Sequence, residues 1–174
     1  MTTIIETERL TIVEVDHTDA EFIIQLLNSP TWLQFIGDKG VRDQKQAISY
    51  IEESLIASYQ KNGFGLYKLC LKASLVPIGL CGFLQRDYLD SPDIGFALLP
   101  EFEGKGFMYE AGNALMRYGK SNLKMDNIFA LVMPMNTKSQ RLLERIGLHK
   151  IGAMVPNGGN QELLLFSNKK SHSN

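Results

Sequence analysis

The segment Pro100-Glu101-Phe102-Glu103-Gly104-Lys105-Gly106-Phe107-Met108-Tyr109-Glu110-Ala111 sets two glycines and a lysine between a short apolar run and an amphipathic one. Such a turn can do anion chemistry. Free amides at a helix start, together with the helix dipole, attract phosphate, and glycine lets the backbone come close to it. The alternative is an ordinary strand-to-helix turn. Two nucleotide patterns fail on the letters. A Walker loop is excluded because Gly106 follows Lys105 and Leu99 stands where the first glycine belongs, and a dinucleotide fingerprint is broken by Tyr109. Further along, Asn136-Thr137-Lys138-Ser139-Gln140-Arg141-Leu142-Leu143-Glu144-Arg145-Ile146-Gly147-Leu148 reads as a capped amphipathic helix. Asn136 caps it, Leu142, Leu143 and Ile146 face a core, and Gly147 stops it. Ser139 is left over, and its hydroxyl near a helix start is available to a ligand.

Other chemistry has less support. Cys70 and Cys81 lie in apolar segments and read as buried reduced thiols. Two cysteines and three histidines without clustering give no metal pattern. His17 falls in a turn, His149 after a helix end and His172 in the tail, and each reads as a solvated residue.

The elements that must position these residues follow from periodicity. Glu8–Val15 alternates and predicts a strand. Thr18-Asp19-Ala20-Glu21 has the form of a capping box opening a helix through Leu27, ended by Asn28-Ser29-Pro30. Asp43 caps a second helix that stops at Asn62-Gly63. Strands are predicted at Phe64–Leu71, Pro77–Leu84 and Asp93–Leu99, a long helix from the glycine turn to Leu123, and a strand at Asn127–Met133. After the helix ended by Gly147, strands at His149–Val155 and Gln161–Phe166 flank Asn157-Gly158-Gly159. Strands and helices mix without strict alternation, which predicts one α+β domain with a mixed sheet rather than a doubly wound parallel fold. Residues 1–167 are expected to be that single domain and 168–174 a polar C-terminal tail.

Composition agrees. The chain has 174 residues, 44% hydrophobic and 21% charged, enough for one core without metals or disulfides. A net charge of −1 provides no field for nucleic acid or anionic membrane. No apolar run is long enough to span a bilayer, and the first residues lack a secretory pattern. A cytoplasmic location is the expectation.

Four stretches together resemble the GNAT superfamily of acetyl-coenzyme A-dependent N-acetyltransferases, in its ribosomal-protein N-terminal acetyltransferase (RimJ/RimL-like) branch. They are Thr7-Glu8-Arg9-Leu10, Ile78-Gly79 with Gly82, Asp93-Ile94-Gly95-Phe96 running into Glu103-Gly104-Lys105-Gly106, and Asn136-x-x-Ser139 through Gly147-Leu148. The resemblance implies a mixed sheet of about seven strands with helices on both faces, splayed between the fourth and fifth strands. It implies acetyl-CoA as co-substrate and no metal. The pantetheine arm would pair with backbone near Ala97, Leu98 and Leu99. The pyrophosphate would rest on the turn from Glu103 and Gly104 through Lys105, Gly106 and Phe107 to Met108, with Asn136 and Ser139 also at the coenzyme.

Three positions depart from the family. Glu103 stands where Gln or Arg is usual, so its carboxylate must point away or find a cation. Met108 stands where Ala or Gly is usual, so its side chain must turn aside. Leu143 stands where many members carry a tyrosine general acid, so Ser139 inherits contact with the departing thiolate. The Leu98 N–H would stabilise the oxyanion. Asp93 is either the general base, acting through water, or a strand-start carboxylate holding a turn. Glu110 reads as a residue compensating the helix dipole. Trp32 and Phe35 either line the acceptor site or pack inside, and Glu52-Glu53 either attracts a basic substrate or faces solvent.

The implied reaction is direct acetyl transfer to a primary amine, namely the N-terminal amine of a protein or peptide. A small amine (amino acid, polyamine or drug) is the alternative acceptor, needing a closed pocket rather than an open groove. A non-catalytic acyl-CoA-binding module is the third possibility, and it would bind coenzyme without turnover. The family implies a monomer or weak homodimer.

Overall fold

In the computed structural model, which describes residues 1–170, the segment Pro77–Leu84 is a strand buried at every residue from Ile78 to Phe83. A strand so placed needs a cover on each side. It is the fourth of eight strands: β1 (Thr3–Glu6), β2 (Leu10–Val13), β3 (Leu66–Leu71), β4 (Pro77–Leu84), β5 (Asp93–Leu98), β6 (Phe129–Val132), β7 (His149–Met154) and β8 (Leu163–Ser167). They form one sheet in the order β1-β2-β3-β4-β5-β6-β8-β7. Each neighbouring pair is antiparallel except β5 and β6. The α+β class and mixed sheet expected from the sequence are present. The strand beyond about seven is β1, which pairs with β2 as an N-terminal hairpin.

Two apolar layers cover the sheet. On one face lie α1 (Ala20–Leu27), α2 (Pro30–Phe35), α3 (Gln44–Tyr50) and α4 (Ala57–Asn62), with Phe22, Ile23, Leu26, Trp32, Ala47 and Ile51 packed on Leu66 and Leu80. A π-helical turn, Ile51–Ile56, joins α3 to α4. On the other face lie α5 (Phe107–Ser121) and α6 (Thr137–Arg145), where Met108, Ala111, Leu115, Leu143 and Ile146 pack on Leu10, Ile12, Tyr67, Phe83 and Ala130. Leu80 and Phe83 thus serve opposite layers, as a strand requires of residues of opposite parity.

Two local elements differ from the sequence expectation. The capping box lies earlier than Thr18–Glu21: Asp16 accepts from the Thr18 amide (2.8 Å), and Asp19 accepts from the Asp16 amide (2.9 Å). Helix α2 was unforeseen, because Ser29-Pro30 reads as a stop, whereas here Ser29 is the N-cap and Pro30 the first helical residue. The cap at Asp43 is present, with Gln46 completing it.

The glycines of β4 have a steric reason. A Cβ at Gly79 would fall 2.3 Å from the Ala97 carbonyl oxygen, and one at Gly82 would fall 2.1 Å from that of Gly65. The two glycines let β4 press against both neighbours.

A buried ion pair ties the helical layer to the sheet. Lys68 Nζ lies 2.6 Å from Asp19 Oδ1, with side chains 8% and 9% exposed. Removing one partner leaves a buried charge alone. Lys68→Met is expected to cost about 3–5 kcal/mol, read as a lower urea midpoint at unchanged slope. An unchanged midpoint contradicts this.

Candidate active site

Strands β5 and β6 run parallel and meet at one pair, Asp93 opposite Phe129. There the Phe129 amide donates to the Pro92 carbonyl at 2.9 Å. Each strand is held on its other side along its length, β5 by β4 and β6 by β8. The gap between them therefore opens from Asp93 toward Leu98 and Val132. Because the two strands are parallel, the helices that follow them start at the same open end.

The direction of the free backbone groups follows from one hydrogen bond. The Leu99 amide donates to the Ile78 carbonyl at 2.8 Å. Residues of an antiparallel ladder alternate in which neighbour they address, so Leu99, Ala97 and Gly95 turn their polar groups to β4. Phe96 and Leu98 turn theirs to the gap, where no strand among the described residues receives them. This corrects the expectation for Ala97 and Leu99, whose amides are spent inside the sheet. Leu98 keeps a free N–H, and Phe96 joins it.

The turn after β5 begins with a 3-10 turn at Pro100–Phe102. Gly104 (φ 74°) and Gly106 (φ 81°) are both in the left-handed region. Gly106 is the N-cap of α5, and no side chain among the described residues caps this helix. By contrast, Asp43 caps α3 and Asn136 caps α6. The first amides of a 15-residue helix thus stay unpaired at the open end of the gap. Uncapped amides, a positive dipole end and two glycines suit a pyrophosphate, and the free edge of β5 suits an amide-bearing arm.

The unusual residues of the turn are accommodated. The Met108 side chain turns inward and is 7% exposed in the core. Glu103 points to α2, where the Thr31 hydroxyl donates to its Oε1 at 3.1 Å. Lys105 is exposed, its ammonium 5.8 Å from the Phe102 ring.

On the opposite wall, Asn136 Oδ1 accepts from the Ser139 amide at 3.2 Å, so this oxygen is committed to the cap. The Ser139 hydroxyl is half-buried and has no hydrogen-bond partner among the described residues. Leu143 is buried among core residues.

Asp93 stands at the apex of the gap, 1% exposed, and accepts from Arg86 Nε at 2.9 Å. Arg86 also donates to the Tyr88 hydroxyl at 3.2 Å. Burial pushes the Asp93 carboxyl above its ordinary pKa, against the pull of Arg86. Through Arg86, Asp93 holds the β4–β5 loop, and it also borders the gap.

The other expectations divide. Trp32 is 4% exposed in the helical core, in keeping with the packing alternative, and its indole N–H has no partner among the described residues. Phe35 is half-buried at the end of α2. His17 pairs with Glu52 at 2.9 Å, both exposed, and His149 contacts the Lys169 carbonyl. His172 lies outside the described residues. Cys70 and Cys81 are free and buried, and burial pushes the Cys81 thiol up, away from nucleophilic use. Among the described residues, no cluster of His, Cys, Asp and Glu could hold a metal, and no helix is long and apolar enough to cross a membrane.

Sequence reasoning missed three residues. Phe96 was legible from strand parity once Leu99 was paired. Arg86 was legible only as a cation a few residues before Asp93. Arg9 lies in a stretch quoted for its resemblance, yet its partners are about a hundred residues away.

The family model for the acetyltransferase (GNAT) domain matches residues 9–149. The N-acetyltransferase p20 of Bacillus licheniformis is 32% identical over 151 residues, 85% of this chain and 83% of its own. The [ribosomal protein uS5]-alanine N-acetyltransferase of Escherichia coli is 37% identical over 77 residues, 43% of this chain and 40% of its own. RimL, a ribosomal L7/L12 alpha-N-protein acetyltransferase solved with coenzyme A, superposes with a TM-score of 0.81 at 18% identity, covering 95% of this chain and 96% of its own. The chain belongs to the GNAT family and is an acetyl-CoA-dependent N-acetyltransferase.

Proposed function

We propose that the acetyl acceptor is the N-terminal α-amine of a protein or peptide. The observation that carries this is the 37% identity with the uS5-alanine N-acetyltransferase. An apolar rim supports it. Leu33 and Ile36, at the outer face and end of α2, are 40% and 46% exposed, and α2 touches the glycine turn through Thr31 and Glu103. Residues 1–167 act as one catalytic domain in this reading.

Bound in the gap, acetyl-CoA supplies an acyl group already activated as a thioester. The amides of Gly106, Phe107 and Met108 hold its pyrophosphate. The Leu98 N–H donates to the carbonyl oxygen as negative charge develops there. An α-amine has a pKa of about 8 and is largely protonated at neutral pH, so a base must take its proton. Asp93 does so through one water, oriented by Arg86. The Ser139 hydroxyl donates to the departing thiolate.

The acceptor is tested by incubating the chain with acetyl-CoA and a peptide bearing a free N-terminus, beside spermidine and free amino acids. Acetylation of the peptide α-amine, located by mass spectrometry and absent from a blocked peptide, is expected. Turnover on the small amines alone overturns the proposal.

Two variants test the roles. Ser139→Ala is expected to lower kcat about 10-fold to 1000-fold with acetyl-CoA affinity little changed. Unchanged turnover removes Ser139 from the mechanism. A base must be unprotonated, so kcat/KM falls as pH drops through the pKa of Asp93. Burial raises that pKa, which sets this limb above the ordinary aspartate range. Asp93→Asn, checked for folding by circular dichroism, should lose both the limb and most of its turnover. A folded variant that keeps the limb clears Asp93 of the role.

A further inference from the structure

Arg9 is exposed and lies far along the chain from the glycine turn, yet most of its polar contacts reach that turn or the helix behind it. Its backbone amide donates to Glu110 Oε1 at 2.7 Å, and its Nε donates to Glu110 Oε2 at 2.7 Å. Its Nη1 donates to the Lys105 carbonyl at 2.9 Å, and its Cζ lies 4.4 Å above the Phe107 ring. The Thr7 hydroxyl adds a third donor to Glu110, at 2.6 Å to Oε1. Burial alone would raise the Glu110 carboxyl, but the hydrogen bonds from Thr7 and Arg9 outweigh it and hold the group below its ordinary pKa. Glu110 does not simply compensate the helix dipole. It anchors the guanidinium.

An exposed ion pair of this kind contributes little to stability. Its geometry has a different consequence. In a trans peptide the carbonyl and the N–H point in opposite directions. Arg9 holds the Lys105 carbonyl, so the N–H of the same peptide, that of Gly106, is directed to the other side. Gly106 is the uncapped N-cap of α5. With no capping side chain to fix the turn from the amide side, the guanidinium fixes it from the carbonyl side. The remaining nitrogen, Nη2, lies 3.4 Å from where a Gly106 Cβ would sit, an ordinary contact, so it is the positive φ of 81° rather than crowding that favours glycine there.

We propose that Arg9, anchored by Glu110 and Thr7, is a positioning residue that orients the Lys105–Gly106 peptide for the pyrophosphate of acetyl-CoA. This rests on the assignment of the glycine turn to the pyrophosphate. The role needs a forked cation, because one group must bridge a carboxylate and a carbonyl while stacking on a ring. Lysine offers a single point of charge and cannot do all three.

The test compares two ligands that differ in the pyrophosphate: acetyl-CoA, and S-acetylpantetheine, which lacks it. Arg9→Gln and Arg9→Lys are expected to raise the Kd and KM for acetyl-CoA about 10-fold to 100-fold, the scale of a small misplacement of a binding group. Saturating kcat and the KM for S-acetylpantetheine should stay near wild type. Glu110→Gln should give the same pattern, and the double variant Arg9→Gln/Glu110→Gln should lose little more than either alone. Wild-type acetyl-CoA affinity in a folded Arg9→Gln overturns the proposal. So does an equal loss toward both ligands, which would mark general damage to the fold. If the wild-type chain itself shows no preference for acetyl-CoA over S-acetylpantetheine, the assignment of the turn to the pyrophosphate fails and this inference falls with it.

Discussion

The site depends on two parallel strands that stay bonded at one residue pair and then part. Hydrogen bonds make a sheet cooperative, and an interior edge left open exposes backbone groups that must find partners elsewhere. Here β5 and β6 meet at Asp93 and Phe129 and diverge toward Leu98 and Val132. The divergence is stable because each strand keeps a full antiparallel partner on its outer side. Separate helical layers also cover the two faces of the sheet. What results is a rail of unpaired amides inside a fold that is otherwise well bonded.

The same arrangement sets the electrostatics. Parallel strands deliver their following helices to one end, so the starts of α5 and α6 converge there. One start is capped by Asn136, which leaves the Ser139 hydroxyl over. The other is uncapped, with both turn glycines in the left-handed region. Glu103, in the middle of this positive field, is drawn off to Thr31. Met108 is drawn into the core. The two substitutions that looked hostile to an anion leave the amides clear, because each side chain has a better partner elsewhere.

Much of this was legible in the sequence where the signal is local. The glycine turn, the caps at Asp43 and Asn136, and the strand at Pro77–Leu84 all follow from residues close together in the chain. The misses share a different cause. Ser29-Pro30 serves equally as a stop and as a start, and only packing on the sheet decides between them. Trp32 fits a lid or a core until its neighbours are known. Ala97 and Leu98 are equivalent apolar letters, and their difference is a strand parity fixed by the bond from Leu99 to Ile78. The partners of Arg9 lie 96 and 101 residues away, beyond any periodicity. Local chemistry thus marked the turn, and topology decided which atoms face it.

On the proposed mechanism, Leu98, Phe96 and the start of α5 offer free amides to acetyl-CoA, while Ala97 and Leu99 do not. Amide hydrogen exchange resolved by residue, with and without acetyl-CoA, reads this directly. The amides of Phe96, Leu98, Gly106, Phe107 and Met108 are expected to exchange fast in the free protein and slow on binding. Those of Ala97 and Leu99 are expected to be protected in both states. Protection of Leu98 before the ligand is added, or no slowing at the α5 start after it, would contradict the account.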